Sequence, residues 1–174
     1  IKEGLFQTAI LISLMDNRED LSLSVSPSEW IDRLISTILD SSTIEWWYSN
    51  KFVLGLIAEA SPRSYIKFIQ NDLRKEDSII KRLFTPKGVN NLWGPQEDYT
   101  HILFSLQAML WEEEWLLPIS CILADLSRIE NDSNLYNKPI TALYEAYAIW
   151  RPQTYAKTPQ RLQALETIDK KYPK

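Results

Sequence analysis

Apolar residues recur three and four positions apart along nearly the whole chain, and strict alternation is almost absent, so the pattern predicts helices rather than strands. Tyr99, Ile102, Leu103, Leu106, Met109 and Leu110 draw one continuous stripe. Trp30, Ile31, Leu34, Ile35, Ile38 and Leu39 draw a second, and Leu162, Leu165 and Ile168 a narrower third. Start signals fall where the stripes begin. Ser26-Pro27-Ser28-Glu29 reads as a capping box with proline at the first helical position, and Ser61-Pro62 and Thr158-Pro159 repeat the motif. Asp98, and Asn137 with Pro139, suit two further starts. The predicted helices lie near 2–16, 27–40, 44–60, 62–73, 76–83, 98–111, 115–130, 137–150 and 158–171. One long irregular stretch, Thr85 to Glu97, contains Pro86, Gly88, Gly94 and Pro95 and is expected to turn more than once, anchored by Val89, Leu92 and Trp93.

Taken in pairs, these helices start near 27, 62, 98 and 137, about the spacing of a two-helix repeat. The residues themselves do not recur at that period, and the W-x2-L-G-x2-Y pattern of tetratricopeptide units is missing. The expected fold is all-α: stacked antiparallel helix pairs, as in a HEAT- or TPR-like α-solenoid, with a compact orthogonal bundle as the alternative. Residues 1–174 are expected to form a single helical domain, and an opening at Ile1 that runs directly into an amphipathic pattern suggests a section of a longer protein.

Composition adds limits. With 174 residues, 45% apolar and 24% charged, the chain is long enough to bury a core without disulfides or metals. No apolar run reaches the roughly 18 residues that a membrane span needs, so a soluble protein is expected, and the single cysteine suits a cytoplasmic one. Cys121 is the only cysteine, which rules out an internal disulfide or a cysteine-based zinc site within this chain. The net charge of −4 is unevenly spread: residues 150–174 hold six Lys/Arg against two Asp/Glu, while the rest holds thirteen against 21. An acidic body argues against extended phosphate contacts. Nucleic-acid binding through Lys157, Arg161, Lys170 and Lys171 therefore stays an alternative rather than the leading expectation.

Among candidate chemistries, Glu112, Glu113 and Glu114 stand out in LWEEEWLLP. Successive helical residues point about 100° apart, so the three cannot converge on one ion if helical. On a turn before the next helix they lie on an exposed corner, near a positive helix end. Asp98, His101 and Ser105 share one helix face and spell a triad by composition, yet a working triad is usually assembled from separate elements. Asp98 suits a cap, and Ser105 can bond its own helix's carbonyl. Cys121 lies in a helix apolar on most faces and is expected to pack as a small hydrophobe. Trp46 and Trp47 cannot face the same side: one is expected in the core, the other half exposed, and Trp47 is a candidate partner-facing residue. In the loop after residue 150, Arg151 can meet a helix C-terminus, Gln153 and Thr154 can satisfy orphan carbonyls, and the same loop can read a ligand. The four glycines build no phosphate loop. No catalytic residue, cofactor or metal is expected.

The stretch Leu56 to Pro62 (LIAEASP), the core from Leu103 to Trp111 within Tyr99–Leu126, Asn137 to Pro139 (NKP) and Pro152 to Thr154 (PQT) resemble, in this order, a helical region of large bacterial proteins. There the pattern looks like LAEASP, TxLLWALExLAW, NRPLxSL and PQTxA. These are STAND/NACHT-like multidomain signalling or antiphage-defence ATPases that join a nucleotide-binding module to a helical array. Lys138 departs from the usual arginine, and the insertion around Pro86–Pro95 is longer. The resemblance spans roughly residues 1–172 and implies that any ATPase lies elsewhere in the full protein. The expected function is a non-enzymatic protein-interaction or sensing segment. Its partner would be another protein or neighbouring domains of its own chain, contacted through Trp47, Glu112, Glu113, Glu114, Arg151 and Gln153. The enzymatic alternative is a hydrolase using the His101 face with Glu112.

Overall fold

A computed structural model describes residues 1–17, 24–85, 99–129 and 137–172, and no strand occurs among them. The helices are α1 (Lys2–Ser13), α2 (Pro27–Asp40), α3 (Ile44–Asn50), α4 (Leu54–Ala60), α5 (Pro62–Leu73), α6 (Ile79–Phe84), α7 (Thr100–Met109), α8 (Leu116–Ser127), α9 (Pro139–Tyr147) and α10 (Thr158–Lys171). The all-α expectation holds. Most of the predicted loop, residues 86–97 with its anchors, and the Asp98 cap lie outside the described residues.

Capping explains several starts. The Ser26 hydroxyl accepts from Glu29 N–H at 3.2 Å to open α2, while the Glu29 carboxylate pairs with Arg33 instead of closing a capping box. Ser78 opens α6 the same way, accepting from Lys81 N–H at 3.0 Å. Ser61 departs from expectation: its hydroxyl donates to the Asp32 carboxylate on α2 and leaves its own helix uncapped. Ser64 donates to the Asp32 carbonyl at 3.0 Å, and Ser36 to Ser64 at 3.0 Å, so a polar seam runs along the α2–α5 interface. Asn137 also serves a neighbour, its carbonyl accepting from the Tyr99 hydroxyl at 3.3 Å.

The single helix expected over 44–60 is interrupted. Asn50 (φ −115°, ψ 9°) and Val53 (φ −108°, ψ 1°) leave helical geometry, and a short 3-10 turn, Lys51–Val53, lies between them. The Asn50 side chain donates to the Trp46 carbonyl at 2.7 Å, engaging a group that a continuing helix would use. Trp47 on α3 and Leu54 and Ile57 on α4 reach the core on either side of the interruption, while Phe52 within it stays outside.

Helices pack in two rows. α1 lies on α4 and α4 on α7; α2 lies on α5, α5 on α8, and α8 on α10. The rows meet as α1 against α2, α4 against α5 and α7 against α8, while α9 joins α8. This pairing is displaced from the one read from spacing, since α2 packs chiefly on α1 and α5 rather than on the chain that follows it. Ile31, Ile35 and Leu39 form the buried row of α2, each contributing about 1.5–3 kcal/mol. Trp30 and Leu34, one position over, remain 53% and 39% exposed, because the partner helices cover a narrower arc than the apolar stripe. The core is one connected cluster with Trp47, Tyr65 and Tyr99 enclosed at its centre. Among the described residues no helix is long and apolar enough to cross a membrane.

Candidate partner-binding corner

Helix α7 ends at Met109, and Glu112 N–H closes the last turn on the Met109 carbonyl at 3.1 Å. Glu112 then takes an extended conformation (ψ 129°), which turns the chain, and Glu113–Trp115 form one 3-10 turn leading into α8. All three glutamates are exposed, on the corner that the sequence suggested. Their negative charge stands before the positive end of α8, and the Glu113 carboxylate accepts from the Gln160 amide of α10.

A second loop is laced onto this corner. After α9 the chain runs from Ala148 to Lys157; Gln153 N–H bonds the Glu145 carbonyl at 3.0 Å and Tyr155 N–H bonds the Trp111 carbonyl at 3.0 Å. The Tyr155 and Trp111 rings meet at 5.3 Å. Thr154 is buried and accepts from Ala156 N–H at 3.2 Å, fixing the bend. Sequence reasoning gave Arg151 the carbonyls at the end of the preceding helix, but the one that meets them is Arg161, donating to Ala148 at 3.1 Å. Arg151 is exposed and Gln153 half-buried, its backbone rather than its side chain making the helix-end contact.

Five of the six sequence candidates, Glu112, Glu113, Glu114, Arg151 and Gln153, therefore sit on two loops that touch. Trp47 does not belong with them. It is 1% exposed, stacked on Phe68 at 5.5 Å and donating from its indole to Ser42 at 2.9 Å, so it offers no surface to a partner. Trp46, half-buried beside it, completes the split expected of the pair. The residues that sequence reasoning missed are Ile149, Trp150 and Tyr155, exposed at 87%, 88% and 72%. The helix expected over 137–150 enclosed Ile149 and Trp150, whereas α9 ends at Tyr147 and leaves both in the loop. Between corner and α10 lies a shallow depression of about 520 Å3, lined by the three glutamates with Leu117, Gln160 and Gln163.

The other candidates are dispersed. Ser105 is 3% exposed, donates to the Ile102 carbonyl at 2.7 Å and shares a 2.8 Å hydrogen bond with Tyr65. Burial pushes the Tyr65 phenol well above its usual range, the Ser105 contact opposing this in part. His101 is half-exposed, edge-on to Phe52 at 4.9 Å. It starts α7, whereas Glu112 follows that helix's far end, about 15 Å away along the axis, so the structure does not bring them together. Cys121 departs from the buried packing role: it is half-exposed and lines a cavity, its thiol pushed up chiefly by burial. Arg161 and Lys171 lie at opposite ends of α10, engaged with Ala148 and with Asp125 respectively. Among the described residues no group of three or more His, Cys, Asp or Glu is placed to hold a metal ion.

No protein-family model, curated protein or solved structure matches this chain. The likeness to helical regions of STAND/NACHT-like proteins rests on the sequence patterns alone.

Proposed function

We propose that the chain is a non-enzymatic section of an α-solenoid that binds protein through the corner between α7 and α8 and the loop after α9. The observation that carries this is the exposed set Ile149, Trp150 and Tyr155 beside an acidic edge, with Arg151 on the same loop. Tryptophan, tyrosine and arginine are the residue types that dominate interface energetics, and here they stand on backbone pinned by hydrogen bonds rather than on a free tail. The solenoid reading draws support from the two rows of like-with-like packing. It draws more from α1, which is apolar around most of its circumference yet buries only Phe6 and Ala9 and leaves Leu5 and Leu11 each 62% exposed. A helix of that composition is normally enclosed, and a neighbouring helix pair would enclose it.

The test is capture from lysate of the source organism by the immobilised chain, purification of the captured protein, and calorimetric titration. W150A/Y155A and E112A/E113A/E114A variants are compared with the parent. The aromatic variant is expected to bind at least about tenfold more weakly, with an unchanged helical spectrum. Capture of nothing above background, or equal affinity for parent and both variants, would replace this reading with that of a structural spacer.

A further inference from the structure

A cavity of about 400 Å3 opens on a different face, where the C-terminal ends of α5, α8 and α10 come together. In a chain of net charge −4, its wall carries four cations, Arg74, Lys81, Arg128 and Lys171, against the single carboxylate of Asp125. One reason for cations here is structural: each helix C-terminus presents roughly half a negative charge. Three such ends account for about one and a half of the excess positive charges and leave a similar amount unbalanced.

The remaining contacts show which cations are committed. Lys171 lies 4.0 Å from the Asp125 carboxylate and over the Tyr172 ring, and Lys81 donates to the Lys75 carbonyl at 3.1 Å. Arg74 and Arg128 make no side-chain ion pair or hydrogen bond among the described residues. Two forked guanidiniums lining one cavity suit an oxyanion with several acceptor oxygens, which each can bind bidentately. The space exceeds a bare phosphate and lies within the range of small-molecule sites, and Leu73 and Ile122 supply an apolar floor.

We propose that this cavity binds a small phosphate ester, its phosphate held by Arg74 and Arg128 and its organic body against Leu73 and Ile122. Cys121, which also lines the cavity, reports occupancy. Inorganic pyrophosphate and phenyl phosphate are the probes, titrated calorimetrically into the whole chain at constant ionic strength, with alkylation of Cys121 by iodoacetamide followed in parallel. Saturable binding at one site and slowed alkylation are expected. An R74Q/R128Q variant should bind at least about tenfold more weakly. An R33Q/R63Q variant, which removes the same charge from elsewhere, should bind as the parent does. Both arginines of the cavity are exposed, and thermal melting checks that their replacement leaves the fold intact. Unsaturable heats, undiminished binding by R74Q/R128Q, or equal weakening in R33Q/R63Q would each overturn the proposal.

Discussion

Asp72 is a carboxylate with no exposed surface, at the end of α5, and it holds the next helix in place. One oxygen accepts from the Ser78 hydroxyl at 2.7 Å and from Ile80 N–H at 2.8 Å; the other lies 3.5 Å from the Lys75 ammonium. Ile80 N–H is one of the orphan donors at the start of α6, and that helix carries Ile80, Leu83 and Phe84 into the core. Replacing Asp72 with Ala leaves a buried N–H without a partner and takes one bond from Ser78. Hydrogen bonds to charged acceptors contribute about 1.5–3 kcal/mol each, and an orphaned buried donor costs about 1–3 kcal/mol. The expected loss for D72A is about 3 kcal/mol, which at a slope near 2 kcal/mol per M moves the urea midpoint down by about 1.5 M. D72N keeps an acceptor for Ile80 and should lose about half as much. Circular dichroism and tryptophan fluorescence should give coincident transitions if unfolding is cooperative. A D72A midpoint within about 0.3 M of the parent would refute the assignment of this carboxylate as the device that seats α6.

Tyr65 gives a pH prediction. Its folded-state pKa is raised by burial, so its contribution is complete below the ordinary tyrosine range and is lost as pH rises through and beyond about 10; Y65F should flatten that alkaline fall in a guanidinium series. Trp47→Ala should cost about 3–5 kcal/mol and abolish most near-ultraviolet ellipticity, whereas Trp150→Ala should leave the melting temperature within about 2 °C. Cys121, raised by burial, should react with iodoacetamide more slowly than a free thiol at neutral pH and accelerate with pH past the usual thiol range; a rate matching glutathione across that range would refute the local environment described.

Helices at 27–40, 62–73 and 158–171 were legible because a proline start and an apolar repeat coincide there. The interruption at 51–53 was not, since Asn50 and Val53 are ordinary residues in a helix and spacing does not reveal that the Asn50 side chain takes the Trp46 carbonyl. Spacing likewise revealed where helices start but not which neighbours they choose: α2 turns towards α5 because Asp32, Ser61 and Ser64 satisfy one another there. The exposed glutamate corner could be read from charge and Pro118, as could the buried member of the tryptophan pair in kind, though not in identity. The aromatic loop beside the corner could not, because its place depends on Tyr155 finding the Trp111 carbonyl 44 positions back in the chain.

The seam of Asp32, Ser36, Ser61 and Ser64 has a mechanical consequence. Leucine and isoleucine contacts grip at many offsets, but these hydroxyls and this carboxylate match at only one. Sliding α2 by a single turn, about 5.4 Å, would strip Ser61 and Ser64 of their acceptors at once. The seam is a detent: a force on α2 is handed to α5 as a shared tilt instead of being dissipated as slip.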